Sequence, residues 1–177
     1  MGYSLHNVTV GVKVLAAWWN EITFAIGHMD NRVLKLEALT PVESQDATGG
    51  SRAATTYAAV GSALTAACVV PQSGKVRVEI QCEMWAATAG LGMRTSAAIS
   101  VSAGSGAAAA SDVNSIKAVG ETSGAVDTAG TSGSRSWVLS GLTAGATVTA
   151  TMQHRCSAAT IGNFINRRIT VQPITGW

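Results

Sequence analysis

The sequence predicts a mainly β protein: an antiparallel β-sandwich preceded by one short strand and one coiled-coil-type α-helix. Three observations carry this expectation. From Trp19 to Leu36, apolar residues recur at Trp19, Ile22, Ile26, Met29, Val33 and Leu36, with alternating gaps of three and four. Such a narrow stripe is the seam of a helix that packs against copies of itself. After Pro41 the chain changes to short alternating segments broken by Gly, Ser and Thr. Charged residues make up only 12% of the 177 residues, against about 25% in typical soluble domains. A surface so poor in charge suits a protein much of whose exterior lies against neighbours.

The first element is a strand. Val8, Val10, Val12 and Val14 alternate with Asn7, Thr9, Gly11 and Lys13, the period of a strand with one buried face. It has no nearby partner in sequence, and an isolated strand is unstable, so it is expected to attach to a neighbouring subunit or a larger particle. A helix is expected from Ala16 to Leu39, ended by Thr40-Pro41 because the residue before proline avoids helical angles. Trp19, Ile26 and Val33 then occupy the a positions and Ile22, Met29 and Leu36 the d positions. Arg32 falls at g and Glu37 at the following e, the spacing of an interchain ion pair in a parallel coiled coil. The competing reading docks the stripe on the chain's own β-domain, but a helix on a globular core usually shows a wider apolar face.

Residues 42–55 (VESQDATGGSRAAT) lack periodicity and contain Gly49-Gly50, so they read as a linker between an N-terminal segment, 1–41, and a head, 56–177. Strands are expected at Tyr57–Val60, Ala63–Val70, Lys75–Trp85, Ser96–Ser102, Ser115–Val119, Trp137–Leu139, Thr147–Arg155 and Ile169–Ile174. In Lys75–Trp85, Val76, Val78, Ile80, Cys82 and Met84 face one way and Lys75, Arg77, Glu79, Gln81 and Glu83 the other. That is one face in a core and one in water. About eight such strands with turn-rich joints imply an antiparallel sandwich.

The chemistry-bearing residues point away from catalysis. Gly104-x-Gly106-x-x-Ala109 lacks the helix that a dinucleotide fingerprint opens, and reads as a loop, as does the Gly/Ser/Thr-rich stretch 120–136. His154 and Cys156 share one face of a strand without a third ligand at an interpretable spacing, so packing is expected rather than metal binding. No Gly-x-Ser-x-Gly elbow or Cys/His arrangement is present. Glu79 and Glu83 share a face with Arg77 and Gln81, which reads as a solvated or subunit-contacting surface. Asp112, Glu121 and Asp127 fall in loops suited to a cation or a glycan. Cys68, Cys82 and Cys156 are odd in number and widely spaced, as buried free thiols are. A net charge of +2 without a basic stripe argues against nucleic-acid binding. No apolar run approaches the roughly 18 residues of a membrane span, and Met1-Gly2-Tyr3-Ser4 does not open a secretory signal. No catalytic residue, metal or cofactor is expected. Trp85 and Trp137 are expected in the core, leaving terminal Trp177 as the candidate glycan contact.

The run Gly11-Val-Lys-Val-Leu15-Ala-Ala-Trp18-Trp19-Asn20-Glu21-Ile22, between a short strand and a heptad, resembles the virion-attachment ends of tailed-phage fibre and decoration proteins. Trp137-Val-Leu-Ser-Gly141-Leu142-Thr143-Ala-Gly145-Ala-Thr147-Val-Thr149, Gln153-His-Arg155 and Asn163-Phe-Ile-Asn-Arg167-Arg168-Ile169-Thr-Val171 look like the closing strands of their jelly-roll heads. In that family the heads are similar to the trimeric tumour-necrosis-factor-like sandwich, so the resemblance implies a jelly-roll head and a homotrimer. β-Branched residues at a with Leu at d favour two strands. The d positions here are mixed, however, and Trp19 is too bulky for a tight dimer seam, so the larger head interface is expected to decide for three. The expected role is a non-enzymatic structural protein of the virion surface, assembled in the host cytoplasm. It would be a capsid decoration or head fibre anchored on capsid or tail proteins by its N-terminal segment. The alternative is a minor tail protein at the tail tip that binds a receptor or host-surface glycan.

Overall fold

In the computed structural model of the chain, residues 20–29, 40–120 and 130–175 are described. The chain divides into two units, Met1–Ala38 and Leu39–Trp177. In the first, residues 20–29 form a helix, α1, as the heptad spacing predicts. Of its seam positions, Ile22 is half-buried, while Ile26 is 53% and Met29 63% exposed. Phe24 and His28, one turn apart on the helix surface, meet edge to face with ring centroids 4.2 Å apart. Trp19, Arg32, Val33, Leu36 and Glu37 lie outside the described residues, as do Val8, Val10, Val12, Val14 and Trp177.

The second unit is built, among the described residues, from β1 (Val42–Asp46), β2 (Gly50–Arg52), β3 (Thr65–Val69), β4 (Lys75–Trp85), β5 (Gly92–Val101), β6 (Ile116–Val119), β7 (Thr131–Leu139), β8 (Thr147–Cys156) and β9 (Gly162–Ile174). One sheet runs β1-β9-β4-β7, with β2 also on β9; the other runs β3-β8-β5-β6. Every pairing is antiparallel. The chain changes sheet at most connections and its last strand returns beside its first, which is the winding of a jelly roll. Between the sheets, Val76, Val78, Ile80, Cys82 and Met84 of β4 join Val148, Ala150 and Met152 of β8 and Met93, Ala97 and Ile99 of β5 in one buried core. Each Val, Ile or Met fully removed from water contributes about 1.5–3 kcal/mol, so the strict alternation of β4 and β8 fixes which face each sheet turns inward. Cys68, Cys82 and Cys156 are buried free thiols, as expected.

β9 breaks the alternation once. Its register against β4 shifts between Gln81 and Glu83, so that Asn166 and Arg167 together oppose Cys82. This is a β-bulge, and Asn166 takes the left-handed conformation it needs, at φ 47°. The extra residue turns Arg167 into the interior, where it is 1% exposed. There its guanidinium pairs with Asp46 and donates to the Val60 carbonyl at 2.6 Å. A buried guanidinium without such partners would be strongly destabilising.

Three sequence expectations need correction. The 42–55 segment is not a linker, since it contains β1 and β2. These strands escape a periodicity test because β1 turns Ser44 and Asp46, rather than apolar residues, toward the interior, and it is held by its ladder to β9 and by the Asp46–Arg167 pair. Gly49, at φ 63°, makes the kink between them, where a Cβ would stand 2.0 Å from the Phe164 carbonyl oxygen. Tyr57–Val60 is not a strand but contributes one bridge, Ala58 to His154. The expectation of a loop over 120–136, of which 121–129 lie outside the described residues, fails for its last part, because β7 starts at Thr131. Its Ser and Gly residues pair along β4 with few apolar side chains to mark an inner face.

Candidate functional site

The outer face of the β1-β9-β4-β7 sheet collects side chains that the core does not use. The antiparallel ladders set them in rows: Glu43, Thr170, Glu79 and Ser136 form one, Gln45, Arg168, Gln81 and Ser134 the next, and Ile165, Glu83 and Ser132 a third. Adjacent strands lie about 4.8 Å apart, so the first two rows offer a polar group at every strand, while Ile165 interrupts the third. Two recesses lie along this face. One, of about 460 Å³, is bounded by Gln45, Asp46, Gln81, Asn166 and Arg168. The other, of about 400 Å³, is bounded by Glu79, Gln81, Ser132, Ser134 and Arg168. Both share Gln81 and Arg168, which makes them one shallow polar trough across the sheet.

Local contacts order the trough. Asn166 Nδ2, on the bulge, donates to Glu83 Oε2 at 2.6 Å. Arg168 Nη1 stands 3.7 Å from Glu43 Oε2 with both side chains 42% exposed, a pair too open to water to fix the guanidinium. Behind the rim, the Asp46 carboxylate accepts from Thr48 Oγ1 at 2.6 Å and from the Thr48 and Gly49 amides at 2.9 and 3.2 Å. The Thr48 hydroxyl and the Arg167 guanidinium hold its carboxyl well below the usual carboxylate range. Asp46 therefore serves the core pair and the β1–β2 turn, while Gln45, Gln81 and Arg168 are left for contact from outside.

Trp85 was expected in the core, but the parity that buries Met84 turns Trp85 outward, opposite Asn163 at the end of the same face, where it is half-buried. Trp137 does pack against the core. Glu79 and Glu83, four residues apart on one strand, are about 13 Å apart at their Cα atoms, and Glu83 is engaged by Asn166.

His154 and Cys156 do share a face, and both are buried in the core region. His154 Nδ1 shares a 2.9 Å hydrogen bond with Thr95 Oγ1, and its ring lies 4.6 Å from that of Phe164. Burial, with Arg167 and Arg52 nearby, pushes the imidazole pKa down to about 3. Its Nε2 makes no hydrogen bond among the described residues. Among those residues no group of three His, Cys, Asp or Glu side chains is placed to hold a metal, and no helix is long and apolar enough to cross a membrane.

No family model matches the sequence, and no curated protein matches it. Solved structures that it resembles include TmCBM61 in complex with beta-1,4-galactotriose, with TM-score 0.31, 12% identity, and 60% of each chain covered. A CBM35 from Cellvibrio japonicus Abf62 has TM-score 0.34 and 11% identity, covering 77% of this chain and all of that one. A family 35 carbohydrate binding module from Clostridium thermocellum has TM-score 0.33 and 15% identity, covering 76% and 99%. With TM-scores below 0.5, these likenesses carry no argument about ligand or residue role.

Proposed function

We propose that this chain is a non-enzymatic, homotrimeric protein of a tailed-phage virion surface whose β-sandwich head binds a glycan through the trough of the β1-β9-β4-β7 sheet. The observation that carries this reading is the row Gln45, Arg168, Gln81 and Ser134, with Trp85 at the end of the same face. Amide, guanidinium and hydroxyl groups spaced by one strand suit a chain of sugar hydroxyls, and the Trp85 ring, about 13 Å further along β4 on the same face, offers a stacking surface for a more distant sugar of the chain. Open recesses of this size leave the ligand partly in water, so the affinity is expected to be modest and avidity from several heads important. The exposed seam residues Ile26 and Met29 support assembly through the N-terminal segment.

The test is a glycan array read with the full chain, followed by Gln81→Ala and Arg168→Ala. Both variants should lose binding to the selected glycan while keeping the denaturation midpoint of the parent, because neither side chain enters the core. Retained binding in both variants would remove the trough from consideration. Mass photometry should give a trimer, and a stable monomer would sink the assembly part. A purely structural reading, as capsid decoration or head fibre, is favoured by the same exposed seam and needs no ligand. Cryo-electron microscopy of the parent particle separates it from a tail-tip minor tail protein by where the copies sit.

A further inference from the structure

The outer face of the β3-β8-β5-β6 sheet carries a row that packing does not explain. Lys117 of β6 stands directly opposite Arg94 of β5, and Arg94 directly opposite Arg155 of β8. Three cations thus lie side by side across three strands, although like charges directly opposed across a ladder repel. Among the described residues, Asp112 is the carboxylate that answers them. Arg155 Nε donates to it at 3.0 Å, Arg155 Nη2 also pairs with it, and Arg94 Nε lies 3.5 Å away. The Tyr57 hydroxyl donates to the same carboxylate at 2.9 Å, and the Arg155 guanidinium sits 5.4 Å from the centroid of the Tyr57 ring. Asp112 is therefore fully engaged, while exposed Lys117 makes no hydrogen bond or ion pair with any described residue. Glu121 and Asp127 lie outside the described residues. A pocket of about 300 Å³ opens among the three cations and is also lined by Gly92, Val119 and Ser157.

We propose that this pocket is an anion site that takes the carboxylate or sulfate group of an acidic sugar. Asp112 pins the two arginines from one side, so that a negatively charged group entering from the other meets donors that are already oriented. Lys117 adds a mobile point charge at the rim. A sugar fits better than a nucleic acid, because the charge is confined to one row instead of following a backbone, and the whole chain carries only +2. Half-exposed Val119 and the Ser157 hydroxyl supply the apolar and polar contacts a sugar ring uses. The site lies on the other sheet from the trough and does not depend on it.

The test is calorimetric titration of the full chain at low salt with a hyaluronan tetrasaccharide for the carboxylate, a chondroitin sulfate tetrasaccharide for the sulfate, cellotetraose as neutral control and a thymidine oligonucleotide for phosphate. At least one acidic tetrasaccharide should bind, and more tightly than cellotetraose. Lys117→Ala should weaken that binding about tenfold, the scale of one charge-assisted hydrogen bond. Since Lys117 makes no hydrogen bond or ion pair with any described residue, the variant should unfold at the same denaturant concentration as the parent, and Arg94→Gln gives a second test from the centre of the row. Lys75→Ala, which removes an exposed cation of β4 on the other sheet and outside the trough, should leave this binding unchanged. Failure of both acidic probes, equal binding of cellotetraose, or an unaffected Lys117→Ala would overturn the proposal. Preference for the oligonucleotide would overturn the sugar assignment in favour of phosphate.

Discussion

Acidification should destabilise the sandwich well before its carboxylates titrate, through His154. The imidazole is fully buried, and its pKa falls to about 3 from the ordinary 6.5. Because the folded value is depressed, the unfolded chain takes up the proton first as pH drops, and stability falls from about pH 6.5 downward. Each pH unit between the two values is worth about 1.4 kcal/mol, so lowering the pH from about 7 to about 5 should cost on the order of 2 kcal/mol. Asp46 does not contribute in this window, since its carboxyl is held below the usual carboxylate range and titrates only in stronger acid. Urea unfolding followed by tryptophan fluorescence at each pH reads the loss as a falling midpoint with an unchanged slope. His154→Gln removes the titrating ring and should flatten the dependence over the same range, whatever it does to stability at neutral pH. A variant that loses as much stability as the parent between those pH values would refute the assignment to His154.

Other expectations follow from the same geometry. Gly49→Ala places a Cβ 2.0 Å from the Phe164 carbonyl oxygen and 2.6 Å from the Ile165 Cα at a positive φ, both backbone atoms, and should cost about 3 kcal/mol or more by chemical denaturation. Asp46→Ala leaves buried Arg167 without its carboxylate and should lower the unfolding midpoint clearly, whereas Glu43→Ala, which removes only an exposed partner of Arg168, should leave it within error; equal effects would contradict the burial argument. Burial raises the Cys68 and Cys82 thiol pKa values to about 11 and that of Cys156 above its ordinary value. Iodoacetamide at mildly alkaline pH should therefore label none of the three until urea unfolds the chain, as intact mass would show.

β4 was legible in full, because its eleven residues alternate without interruption and both its neighbours are within the same sheet. β9 was legible only from Ile169, since the Asn166–Arg167 bulge resets the parity and makes the strand look like two unrelated pieces. β1 and β2 were invisible as strands because their stability comes from long-range pairing and a buried ion pair, neither of which leaves a local apolar pattern. The same division applies to the trough. Glu79, Gln81 and Glu83 could be read as one face of β4, but Gln45 and Arg168 join them only through the ladders of β1 and β9. The outward turn of Trp85 follows from the sequence pattern itself, since the alternation that places Met84 inside places the next residue outside. The charged row of Lys117, Arg94 and Arg155 gave no signal in the sequence, where its members are scattered over three strands.

The bulge in β9 also bears on how this head can change over generations. A residue gained or lost elsewhere in a strand turns every following side chain to the wrong face. Asn166 is the exception, since the residues on either side of it, Ile165 outside and Arg167 inside, would alternate correctly without it. Removal of one residue is therefore expected to keep the strand's parity at this point on the rim of the trough, beside Arg168 and Glu83. A variant lacking Asn166 is expected to keep the core of β9 intact.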